Sequence, residues 1–130
     1  MHPSFPRTSL FAVAGAAGGV LLACSHYDGE VCTAEFRGLP LTIVSESGTP
    51  VTDATVTTRL TRNNQVLQTT GDSPTGWYVI LTDSSAGRLR SGGDSVSAAV
   101  SASIDTVLPF VISGGCHIAK LSGPDSLVVP

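Results

Sequence analysis

The sequence predicts an all-β domain, a seven-stranded antiparallel β-sandwich that follows a helical N-terminal segment. Short runs alternate between apolar and polar residues with a period of two, most clearly at 95–104. Turn-forming residues, 14 Gly and 8 Pro, recur between these runs. Some seven such runs, spaced at about 8–12 residues, are typical of a sandwich.

Each strand is predicted from its own alternation and the turn residues that bound it. Residues 33–37 are expected to lead into the first strand. The seven strands are expected at 41–46, 54–62, 65–70, 77–82, 95–104, 116–122 and 126–129, and 84–93 is expected to be a loop. Asn63-Asn64 is expected to form a hairpin turn, since Asn tolerates positive φ. The return strand at 65–70 should then be antiparallel to 54–62.

The buried face of each strand should be its more apolar one. At 54–62 the alternation puts Ala54, Val56, Thr58 and Leu60 on one side. At 77–82 it groups Trp77 with Val79 and Leu81, so Trp77 is expected in the core and Tyr78 at a sheet edge. The predicted core comprises Val56, Leu60, Trp77, Val79, Val96, Val100 and Ile118.

The N-terminus has the pattern of a secretory signal. One basic residue, Arg7, precedes an apolar run of 14 residues at 10–23, shorter than the roughly 20 residues that span a bilayer. The run ends Leu21-Leu22-Ala23-Cys24, which resembles the lipobox of bacterial lipoproteins. The resemblance implies cleavage before Cys24 and attachment of a lipid to its sulfur. Residues 1–23 are thus expected to be the signal peptide, 24–31 a tether and 32–130 the domain.

The resemblance also predicts the cellular location. An exported chain with lipid on Cys24 is anchored to a bacterial membrane. Ser25, not Asp, follows the cysteine, and by the sorting pattern of Gram-negative lipoproteins this favours the outer membrane.

Two cysteines remain once Cys24 carries lipid. An even number in an oxidising compartment predicts a disulfide between Cys32 and Cys116. The bond would close a loop of 84 residues, worth roughly 4.5 kcal/mol in the chain-entropy model.

Catalytic and metal sites are not predicted. Cys116 and His117 are adjacent on an expected strand, so their side chains should point to opposite faces and could not act as a catalytic pair. Zinc requires three or four convergent ligands, and Cys32, Cys116, His117 and His26 show no paired spacing. We therefore expect no cofactor.

The charge pattern excludes nucleic acid as a partner. Only 13% of the residues are charged and the formal net charge is −3. Phosphate backbones are bound by clusters of Lys and Arg, and the densest basic pair is Arg88 with Arg90.

Two motifs indicate a family. Gly48-Thr-Pro-Val-Thr-Asp-Ala-Thr-Val56 and Asp72-Ser-Pro-Thr-Gly-Trp-Tyr78 resemble the signature of carboxypeptidase regulatory-like domains. Cys32 and Gly115-Cys116-His117 look like the cysteines that flank this region in bacterial lipoproteins. The resemblance covers residues 32–129 and implies a prealbumin-like sandwich without catalytic activity. Because 96–104 does not end in the family's Gly-Tyr, an immunoglobulin-like sandwich remains the alternative fold.

The expected function is that of a membrane-tethered, non-enzymatic binding or structural module of the bacterial envelope, whose partner is an envelope protein or a glycan. A carbohydrate-binding module is the alternative, and Tyr78 and His117 are the candidate ligand contacts. A small hydrolase is a third class, although no Gly-x-Ser-x-Gly motif is present.

Overall fold

The computed structural model describes residues 32–130, so the predicted signal peptide, Cys24 and the tether lie outside the described residues. Thr33–Pro130 form one compact unit. Eight strands and one short 3₁₀ helix (Asp83–Arg88) make up this part: β1 (Gly38–Ser45), β2 (Thr55–Leu60), β3 (Gln65–Gly71), β4 (Trp77–Thr82), β5 (Asp94–Ser101), β6 (Asp105–Ser113), β7 (Ala119–Ser122) and β8 (Ser126–Val129). Within it, no helix is long and apolar enough to cross a membrane.

The strands form two sheets around one hydrophobic core, which confirms the all-β prediction. One sheet has the order β4-β1-β8 and the other β3-β2-β5-β6-β7. β1 and β8 are parallel, so the predicted wholly antiparallel arrangement is wrong. β1 and β2 lie in different sheets, whereas the first two strands of an immunoglobulin domain share one.

The strand that the sequence analysis missed is β6. Apolar residues occupy both of its faces, so it lacks the period of two, and Pro109 resembles a strand breaker. Among the described strands, β7 pairs with β6 only from Val111 onwards. Pro109 thus lies where that edge of β6 has no strand neighbour, and sheets tolerate proline at edges.

The core matches the predicted list at five positions. Val56, Leu60, Val96, Val100 and Ile118 are at most 2% exposed. The β2–β3 hairpin is also confirmed, with antiparallel pairing and Asn64 at φ 60° in the turn.

The prediction for β4 is wrong. Trp77 is 59% exposed and Val79 is half-buried, whereas Tyr78 and Ile80 are buried. The cause is a β-bulge: Pro40 pairs with Val79 and Leu39 with Leu81, which leaves Ile80 as the extra residue. A bulge changes the alternation, so Leu81 is buried together with Tyr78 and Ile80.

Candidate functional site

The three-stranded sheet has a solvent-facing side that is built around the tryptophan. Leu41 and Ile43 of β1 are fully buried, so the β1 residues that alternate with them point outwards. Their partners on β4 and β8 lie on the same side. We call this surface the Trp77 face, and it comprises Pro40, Thr42, Val44, Trp77, Val79, Ser126 and Val128.

The Trp77 face is arranged in rows that cross the sheet. In the central row, Trp77 pairs with Thr42 and Thr42 with Ser126. Apolar rows flank it: Val44 with Val128 on one side, and Pro40 with Val79 on the other. The seven residues of this face include no charged side chain.

The backbone of Trp77 is held in place from its loop side. The Ser73 hydroxyl donates to the Trp77 carbonyl at 2.7 Å and accepts from the Trp77 N–H at 3.0 Å. Ser73 itself is only 8% exposed. The exposed indole thus extends from a fixed backbone position.

Tyr78, the neighbouring aromatic residue, is fully buried. Its hydroxyl donates to the Val51 carbonyl at 2.7 Å and accepts from the Ala54 N–H at 3.1 Å. Because the side chain has no exposed surface and its hydroxyl is engaged, the prediction that Tyr78 contacts a ligand does not hold. The exposed aromatic residue is Trp77 instead.

His117 lies in a second group of residues, which we call the polar cluster: Thr33, Asp83 and His117. Nδ1 of His117 is 2.5 Å from Oδ2 of Asp83, and Nε2 is 2.7 Å from Oγ1 of Thr33. An ionised carboxylate only accepts hydrogen bonds, so Nδ1 carries a proton and donates. A hydroxyl both donates and accepts, so the Thr33 bond suits the neutral and the protonated ring alike.

Asp83 is held as an anion. It also accepts from the backbone N–H groups of Ile118 at 2.8 Å and Arg37 at 2.9 Å. Burial by itself would raise its pKa, but the hydrogen bonds from His117, Ile118 and Arg37 outweigh burial and lower the pKa to about 2.

The order hydroxyl, imidazole, carboxylate is also that of a hydrolytic triad. In this chain the three groups join the start of the domain at Thr33 to the turn that carries His117. Three surface cavities, of about 330, 680 and 440 Å³, are lined by residues outside the polar cluster. The geometry fits a clamp between distant segments, since Asp83 also bonds to the backbone of Arg37 and Ile118.

The expectation that Cys116 and His117 lie on a strand is wrong. They lie in the bend between β6 and β7, and β7 begins at Ala119. Cys32 and Cys116 are both disulfide-bonded, in agreement with the predicted pairing. The disulfide, not strand alternation, is therefore what rules out a catalytic Cys116 thiol.

A second buried carboxylate, Asp94, is also occupied. It accepts from the Arg62 guanidinium at 3.3 Å and the Arg90 N–H at 2.9 Å. Burial by itself would raise its pKa, but the bonds from Arg62 and Arg90 lower it. Within residues 32–130, no group of three or more His, Cys, Asp and Glu side chains could hold a metal ion.

Sequence reasoning missed Thr33 and Asp83 as partners of His117. Asp83 lies 34 residues before His117 and Thr33 lies 84 residues before it, and no local motif links them. The Trp77 face was missed because the bulge in β4 has no clear signature in the sequence.

Comparison of the chain with family models, with curated proteins and with solved structures found no match.

Proposed function

We propose that this protein is an exported, lipid-anchored and non-enzymatic binding module of the bacterial envelope, and that the Trp77 face is its binding surface. The observation that carries the proposal is the 59% exposed Trp77 at one end of an uncharged row of residues. Large aromatic side chains are normally buried because of their apolar area, and exposed ones are enriched at sites of recognition.

The anchoring part of the proposal rests on the N-terminal sequence. The apolar run at 10–23 and Leu21-Leu22-Ala23-Cys24 support cleavage before Cys24 and lipid attachment there. The polar residues 24–31 would tether the domain, and Ser25 supports the outer membrane as the destination.

We further propose that the domain is related to carboxypeptidase regulatory-like, prealbumin-like sandwiches. The two motifs that resemble this family lie in contact, since the Tyr78 hydroxyl from the second bonds to Val51 and Ala54 of the first. The strand order, which separates β1 from β2, also favours this relationship over the immunoglobulin-like alternative.

Site-specific photocrosslinking in intact cells tests the binding surface. A photoreactive amino acid replaces Ser126, exposed on the Trp77 face, or Ser101, exposed on the outer face of the other sheet. We expect a covalent adduct from position 126 and none from 101. Equal yields at both positions, or an adduct from 101 alone, would show that the Trp77 face is not the binding surface.

Hydrolysis is a second candidate function, which the hydroxyl–imidazole–carboxylate geometry of the polar cluster favours. Full-length protein assayed with p-nitrophenyl acetate and butyrate should show only the background rate. Turnover that is lost in both Thr33→Val and His117→Ala would place the protein among the enzymes.

A further inference from the structure

The Trp77 face combines three features that distinguish one ligand class: an exposed indole, hydroxyls in register with it, and no charge. We propose that this face binds a neutral glycan, with Trp77 stacked on a sugar ring and the hydroxyls of Thr42 and Ser126 bonded to sugar hydroxyls. The inference rests on the proposed function and names the ligand of that same surface.

The stacking contact comes from Trp77. A sugar ring has a face of C–H groups, and the face of an indole is the largest apolar area that a side chain offers to it. Two hydrogen bonds to Ser73 already fix the Trp77 backbone. Little further backbone entropy is therefore lost when a ligand binds.

The hydroxyls of Thr42 and Ser126 orient the sugar chain along the row that begins at Trp77. Thr42 pairs with Trp77 and Ser126 pairs with Thr42, and neighbouring strands lie about 4.8 Å apart. That spacing is close to the length of one sugar ring, so the row presents an aromatic ring and then two hydroxyls at successive sugar positions. A few placed polar groups on an apolar surface are typical of small-ligand sites.

The composition argues against other occupants. The seven residues of the face include no charged side chain that could attract an acidic polysaccharide, a phosphate or an anionic lipid headgroup. Protein–protein interfaces are depleted in serine, whereas this face carries Ser126 beside its central residue Thr42. The apolar rows Val44–Val128 and Pro40–Val79 offer contacts for the C–H groups of neighbouring sugars.

Fluorescence provides a direct test, because Trp77 is the one tryptophan in the chain. Full-length protein is extracted in a detergent without a sugar headgroup and titrated with cellohexaose and with maltoheptaose. We expect a saturable blue shift of the emission and protection from acrylamide quenching with at least one of them. Polygalacturonic acid should give neither effect at equal sugar concentration.

Variants are compared by calorimetry, which does not need the tryptophan. Trp77→Ala should weaken binding roughly tenfold, Trp77→Phe should keep part of it, and Thr42→Val should weaken it while leaving the melting temperature unchanged. Val107→Ala, which changes an exposed residue on the other sheet, is the matched control and should bind normally.

Three results would overturn the inference: no saturable binding of either oligosaccharide, full binding by Trp77→Ala, or equal binding of polygalacturonic acid. If position 126 gives an adduct in cells but neither oligosaccharide binds to the extracted protein, the Trp77 face remains the binding surface and a neutral glycan is excluded as its ligand. If position 126 gives no adduct and neither oligosaccharide binds, the proposed function is wrong as well.

Discussion

Trp77 and Tyr78 are adjacent aromatic residues with opposite environments. Tyr78 is buried and its hydroxyl crosslinks the loop between β1 and β2 through Val51 and Ala54. Trp77 is exposed and only its backbone is fixed. At the scale of single residues, the structural role therefore falls to the tyrosine, and the tryptophan is left available for recognition.

Thr58 carries a buried hydroxyl at a cost to stability. The residue has no exposed surface, and its Oγ1 has no hydrogen-bond partner among the described residues. Thr58→Val replaces the hydroxyl with a methyl of similar size, so it should raise the free energy of unfolding by about 1 kcal/mol in urea titrations. Thr58→Ser keeps the hydroxyl and should destabilise. A destabilised valine variant would contradict this account.

Gly76 is required by both its backbone conformation and its surroundings. Its φ is +78°, and a Cβ there would lie 2.9 Å from the Ile43 carbonyl oxygen and from Pro50. Gly48 has a similar φ of +87° but open space around it. Gly76→Ala should therefore be more destabilising than Gly48→Ala by about 1–3 kcal/mol in urea titrations. Equal losses would mean that backbone strain alone matters.

At the scale of elements, the β-bulge in β4 and the polar cluster decide how the surface is arranged. The bulge at Ile80 allows Leu81 to be buried together with Tyr78 and Ile80 while Trp77 lies on the outer side. The 3₁₀ helix that follows β4 begins at Asp83. Its carboxylate bonds to two separate segments, one through Arg37 and the other through His117 and Ile118. Asp83 thus ties the start of the domain to the bend after β6.

The polar cluster should make stability depend on pH in acid. The pKa of Asp83 is about 2 in the folded protein, against 3.8 as the ordinary value. The contribution of the ionised Asp83 carboxylate to the free energy of unfolding is therefore complete above the ordinary pKa. It is lost as pH falls through the pKa of the folded protein. The stability advantage of wild type over Asp83→Asn should shrink between about pH 5 and pH 2 in urea titrations. An advantage that stays constant over this range would show that the charge of Asp83 is not involved.

At the scale of the whole molecule, the β4 edge of the smaller sheet is protected by the larger sheet. Side chains of Gln68 and Thr70 on β3 donate to the Val79 carbonyl on β4 at 3.1 and 2.8 Å. An edge strand with unpaired backbone groups can pair with other chains. These bonds occupy part of that edge.

Lipid anchoring is the prediction that concerns the whole chain. Intact-mass analysis of membrane-extracted protein should find a diacylglyceryl adduct on a chain that starts at Cys24. Cys24→Ser should move the protein from the membrane fraction to the soluble fraction without changing its melting temperature. A soluble wild-type product with a free Cys24 thiol would contradict the lipobox interpretation.

The sequence by itself determined the all-β class, the disulfide-bonded cysteines and the buried faces of β2 and β5. These features depend on local alternation and on residue counts, which are visible in the chain. The hairpin at Asn63-Asn64 is likewise local, since its turn chemistry lies in two adjacent residues.

Only the tertiary structure decided the sheet order, the exposed side of β4 and the partners of His117. A bulge depends on how two strands pair, so alternation within β4 alone assigned Trp77 to the wrong side. Asp83 and Thr33 meet His117 across 34 and 84 residues, and such contacts follow from how the sheets pack, which no local pattern encodes. The surface proposed for binding therefore became visible only once both strand pairing and packing were known.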